Sequence, residues 1–66
     1  MKVLIRKRDR EIYLQPSGEW SPSRETAKQF ENSSFALWWA REQQLLGIDI
    51  LLAFEDPRWD FVPLRL

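Results

Sequence analysis

The sequence predicts an α+β fold, a four-stranded, mainly antiparallel sheet of element order ββααββ and strand order 2-1-3-4, with one helical layer on one face. Three observations carry this expectation. Short β-rich runs stand near both ends of the chain, at Lys2–Lys7 and residues 11–15, then at residues 48–55 and 61–66. Between them, residues 35–46 contain no Gly, Pro or β-branched side chain and many strong helix formers. Gly, Pro, Ser and Asn punctuate the junctions between these runs. With 66 residues the chain has room for a single domain over residues 1–66, and a domain of this size buries only about 60% of the surface its unfolded chain exposes.

Each element follows from its residues. In the first strand Val3 and Ile5 lie on one side and Leu4 and Arg6 on the other, and Arg8-Asp9-Arg10 turns the chain into the second strand. Pro16, Ser17 and Gly18 end that strand, because Pro removes a donor and Gly permits positive φ. Ser21-Pro22 has the form of a helix start and predicts a first short helix reaching about Phe30. Asn32-Ser33-Ser34 interrupts it, and Ser33 or Ser34 is expected to cap a second helix that runs to about Leu46 and stops at a left-handed Gly47. Residues 48–55 read as a central strand, and Pro63 confines residues 61–66 to an edge.

The strand order follows from connection rules. A right-handed crossover from the second strand to the third leaves one slot between them, which the first strand fills antiparallel to both. The helical layer then covers the face bearing Val3, Ile5, Ile12, Leu14, Ile50, Leu52 and Phe54. Phe30, Ile50, Leu52 and Phe54 are the expected core, while Leu4, Tyr13, Leu51 and Ala53 emerge on the uncovered face.

Composition narrows the function. Hydrophobic residues make up 44% and charged residues 30%, as in a folded globular domain. Cysteine and histidine are absent, so the chain lacks a thiolate nucleophile, a disulfide framework and the commonest general base and metal ligand. The only glycines, Gly18 and Gly47, form no phosphate-binding loop. Glu55, Asp56 and Asp60 read as a solvated acidic turn, since Pro57 and Trp59 occupy the positions a calcium loop would need. No enzyme activity, cofactor, metal or small-molecule substrate is expected. Met1 to Arg6 holds only three consecutive apolar residues, short of the roughly 7–15 of a signal peptide. Together with the lack of cysteine, this predicts a cytoplasmic protein without membrane association.

The formal net charge is +0, yet the charges are segregated. Lys2, Arg6, Lys7, Arg8 and Arg10 stand early, and Asp49, Glu55, Asp56 and Asp60 late. The expectation is that neighbouring strands set these charges against each other. The alternative is a nucleic-acid accessory protein in which Arg6, Arg8 and Arg10 meet phosphates while Tyr13 or Trp20 stacks on a base. The neutral balance argues against it.

Tyr13, Gly18 and Trp20, then Ala27, Phe30, Ser33 and Ala36, then the helix closing at Gly47, resemble a pattern in small uncharacterised bacterial proteins. The resemblance covers the middle half of the chain and implies the fold, with no activity attached.

The helix holds an anomaly. At 100° per residue Phe35, Trp39 and Leu46 cluster with Trp38 and Leu45 beside them, Glu42 falls within that apolar arc, and Leu37 points the opposite way. One helical layer cannot bury all of these on a small sheet. The function expected is a non-enzymatic protein-interaction domain, self-associating or binding another protein. Its candidate interface residues are Leu4, Tyr13, Leu51 and Ala53 on the sheet face and Leu37 and Trp38 on the helix.

Overall fold

The computed structural model describes residues 1–66. Its elements are β1 (Lys2–Lys7), β2 (Ile12–Leu14), β3 (Trp20–Ser21), α1 (Ser33–Glu42), β4 (Ile48–Ala53), a 3-10 turn (Pro57–Trp59) and β5 (Phe61–Arg65). The sheet order is β3-β2-β1-β4-β5 with every neighbouring pair antiparallel. The order expected for the four longer strands therefore holds, and a fifth strand is added at the β2 edge. It arises because residues 16–19 form a hairpin turn instead of ending the sheet. Gln15 N donates to Glu19 O at 2.8 Å and Gly18 N to Gln15 O at 2.9 Å, with Gly18 at φ 91°. Trp20 is thereby set opposite Leu14.

The first of the two expected helices does not form. Residues 22–29 instead run as an irregular strap. Side-chain bonds compete with the helix here: Ser23 N donates to Ser21 Oγ, and the Thr26 hydroxyl bonds Gln15 Oε1 at 2.7 Å and Ser23 Oγ at 2.9 Å. The strap's later amides go to the sheet, Lys28 N to Leu14 O at 2.8 Å and Phe30 N to Val3 O at 2.9 Å. β1 and β2 pair only through Arg6–Tyr13 and Lys7–Ile12, so toward Val3 they splay apart. The strap passes through that gap. Ala27 packs with Leu4 on one face of the sheet, and Phe30 packs with Val3 and Ile5 on the other.

The cap of α1 is Asn32, one residue before the expected Ser33 or Ser34. Asn32 Oδ1 accepts from Phe35 N at 2.8 Å, and Asn32 is extended at φ −158°. The helix also stops earlier than expected, at Glu42. Gln44 takes the left-handed conformation at φ 58°, with Leu45 N donating to Ala40 O and Gln44 N to Arg41 O, both at 3.0 Å. These are the paired bonds of a Schellman motif, built on Gln instead of Gly. Gly47 does adopt positive φ, 70°, but in the link to β4, where its amide donates to Leu66 O.

β4 ends at Ala53, and this moves Phe54 out of the expected core onto the surface. Its amide donates to Asp60 Oδ1 in the following turn instead of to a strand. Phe30 and Ile50 are buried as expected, and Leu52 is half-buried against the core. β5 is an edge strand, with a register shift facing Pro63. Leu66 and Ile48 exchange bonds at 2.9 and 3.2 Å, so antiparallel alternation turns Arg65 and Pro63 outward. Proline thus stands where no donor is needed and blunts the open edge.

The helix layer meets the sheet through Ala36 and Ala40, which pack with Val3, Ile5, Leu14, Phe30, Ile48 and Ile50. Leu4, Tyr13, Leu51 and Ala53 do lie on the opposite face. They are nevertheless no more than 7% exposed, because the strap closes over them with Ala27 and β5 adds Val62. The sheet half of the expected interface is thus an interior. No helix is long and apolar enough to cross a membrane.

Candidate functional site

The early and late charges do meet, at a buried carboxylate. The registers align Ser21, Tyr13, Arg6, Asp49 and Arg65 in one row across the sheet on the strap side. Arg6 Nη2 donates to Asp49 Oδ2 and Arg8 Nε to Asp49 Oδ1, both at 2.9 Å, while Arg65 Nε stands 3.6 Å from Oδ1. Burial alone would push the Asp49 carboxyl up. The hydrogen bonds and charges of Arg6 and Arg8 together outweigh that and hold it below the usual aspartate range. Arg8 Nη2 also donates to Ile48 O and Leu66 O, both at 3.1 Å, locking the β1 end to the sheet.

A second ion pair fastens the strap. Arg24 Nη1 and Nη2 grip Asp60 at 2.7 and 3.0 Å, and Nη2 also donates to Phe54 O at 3.1 Å. The Arg24 guanidinium holds the Asp60 carboxyl below its usual range, and Asp60 in turn raises the pKa of Arg24. Arg24 also lies over the Tyr13 ring, 5.9 Å from its centroid. Asp56 is taken by Arg58 at 2.6 Å. Asp49, Asp56 and Asp60 therefore face arginines, and the late acids do not converge on one point.

Most of the residues named for the nucleic-acid alternative have partners within the chain. Arg6 and Arg8 are engaged with Asp49, Tyr13 is buried beneath Arg24, and Trp20 carries Lys7 over its ring at 4.9 Å. Arg10 is exposed, but no open aromatic is paired with it. One shallow cleft of about 360 Å³ opens beside Leu4, Arg24 and Phe54, and another of about 420 Å³ beside Arg8 and Gly47.

The helix offers a different kind of surface. Because Ala36 and Ala40 face the sheet, the bulky side chains of α1 are turned to its flank and its outer side. Their rings form a continuous arc from core to solvent. Trp39 lies 5.5 Å from Phe30, Phe30 6.2 Å from Phe35, and Phe35 5.6 Å from Trp38, the last two stacked at 21°. Lys28 Nζ sits over Phe30 at 5.4 Å and over Trp39 at 5.9 Å, closing the inner part. The outer part stays open, with Phe35 46% and Trp38 55% exposed. Leu37, the other helix residue expected at an interface, is half-buried. The sequence pattern shows an aromatic arc on the helix, whereas the side that faces the sheet is set by Ala36 and Ala40. Their four-residue spacing was the available signal, since small side chains let a helix approach a sheet closely.

A second set of exposed aromatics was missed entirely. Trp59 on the 3-10 turn is 70% exposed, and Phe61 and Phe54 beside it are open as well. The turn reads from sequence as charged punctuation, which hid its apolar display.

The residues that carry the resemblance to small bacterial proteins serve the fold: Tyr13, Ala27, Phe30 and Ala36 are buried and Gly18 makes a turn. No protein-family model matches the chain, and no curated protein or solved structure matches it.

Proposed function

We propose that the protein is a non-enzymatic interaction domain that meets another protein chain, its own copy or a different one, through the outer face of α1. The observation that carries this reading is the open Phe35–Trp38 stack, standing on a molecule whose sheet is covered on both faces. Tryptophan and phenylalanine are enriched in interface cores, and a ring already held by a stacked neighbour loses little freedom on binding. A chain without histidine or cysteine, whose buried carboxylate Asp49 is held by Arg6 and Arg8, supports binding over catalysis. The cysteine-free composition also supports a cytoplasmic setting.

Cross-linking in the native cell followed by mass spectrometry tests the reading. The wild-type chain should give protein cross-links at α1 that Trp38→Ser abolishes, while the variant melts within a few degrees of wild type. An unchanged cross-link pattern in the variant would overturn it.

A further inference from the structure

We infer that the chain seated on the outer face of α1 is a second copy of this protein, related by a two-fold axis parallel to the helix. Trp38 then meets Trp38, and Arg41 of each copy meets Glu42 of the other. The inference rests on the reading of α1 as the contact surface and adds the occupant and its orientation.

The argument is angular. Ala36 and Ala40 define the side that faces the sheet, and at about 100° per residue Trp38 projects on the opposite side. One turn further on, Arg41 lies about 60° to one flank of Trp38 and Glu42 about 40° to the other. Both are exposed, and neither belongs to an ion pair within the chain. Being adjacent in sequence on one helix, they do not face each other.

A two-fold axis parallel to the helix sets each flank against the opposite flank of the other copy at the same height. Arg41 then faces Glu42 of the other copy, and the pair occurs twice. An axis perpendicular to the helix sets like flanks together, placing Arg41 against Ser34 and Glu42 against Phe35, with no charge matched. Both halves of the ion pair lie on one helix, so the surface complements itself, and a net charge of +0 leaves no long-range repulsion between copies. α1 has 10 residues, a length of about 15 Å, so the contact falls below the roughly 800 Å² per partner of a stable complex. The dimer is therefore a weak, rapidly exchanging one.

Sedimentation velocity from micromolar to near-millimolar concentration tests this. Wild type should shift toward dimer as concentration rises. Arg41→Glu and Glu42→Arg should each weaken association about tenfold, and the double variant should restore it, with circular dichroism showing each chain folded. A monomer at every concentration, or a double variant no tighter than the single ones, would overturn the inference. A monomer whose Trp38-dependent cross-links run to a different protein removes this dimer and leaves the broader reading standing, whereas loss of those cross-links as well removes both.

Discussion

The two faces of the sheet are covered by different means. On one face α1 lays Ala36 and Ala40 onto aliphatic strand residues, and the contact is almost wholly apolar. On the other, a strap without regular structure is held by the ion pair of its Arg24 with Asp60, and Arg6 and Arg8 pair with Asp49 on the same face of the sheet. A helix has a fixed circumference, so covering the sheet with one side necessarily leaves another side open, and here that side carries Phe35 and Trp38. The strap buries Ala27 and leaves Pro22, Glu25, Thr26 and Gln29 exposed, so what it turns outward is mostly polar. Open aromatic surface therefore stands on α1, apart from the second set on the 3-10 turn, and titratable stability on the strap side.

The largest expected break in this contrast comes from one charge placed on either face. Leu51 is fully buried under the strap, so Leu51→Arg should prevent folding, because burying an unpaired charge costs several kcal/mol in a domain whose total stability is about 5–15 kcal/mol. Trp38→Arg on the helix surface should leave the melting temperature within a few degrees of wild type. Thermal unfolding followed by circular dichroism compares the two. Equal, mild effects would mean that the strap does not seal its face.

Asp49→Asn comes next. The amide keeps an acceptor oxygen but removes the charge that holds Arg6 and Arg8, and because both arginines reach solvent the loss should be about 1–3 kcal/mol. Denaturant titration would read this as a lower midpoint.

Acid gives a smaller, graded version of the same effect. Asp49 and Asp60 both sit below the ordinary aspartate value of 3.8 in the folded state. Their contribution is therefore complete above the unfolded value and is lost as pH falls from near 3.8 through the lower folded values. The melting temperature should be flat from pH 7 to about 5 and drop below about pH 4, and Asp49→Asn should flatten that drop. A melting temperature that falls equally in wild type and variant would place the acid sensitivity elsewhere.

The smallest expected effect lies at the end of α1. Gln44→Gly relieves a left-handed position and should stabilise by up to about 1 kcal/mol, a rise of a few degrees. Gly47→Val should act oppositely, since Gly47 also needs positive φ.

Much of this contrast is legible in the sequence, and the rest is hidden for physical reasons. Strand order follows from connection rules, the sorting of Val3 and Ile5 against Leu4 follows from period-two alternation, and Pro63 and Gly47 follow from backbone chemistry. The strap is hidden because Ser21-Pro22 carries a sound helix-start signal, and only long-range bonds from Lys28 and Phe30 to β2 and β1 override it. Once the strap is missed, Leu4, Tyr13, Leu51 and Ala53 necessarily look like an open patch. The α1 surface is half legible: Trp38 was placed among the candidates, but the aromatic weight of the helix concealed the alanine pair that decides which way it turns.

The claim that one face is sealed and the helix surface open is tested most directly by hydroxyl-radical footprinting of the folded protein in dilute solution. Trp38 and Phe35 should be modified readily, while Tyr13 and Leu51 stay protected until the chain unfolds. Modification of Tyr13 as fast as Trp38 in the folded state would contradict the account.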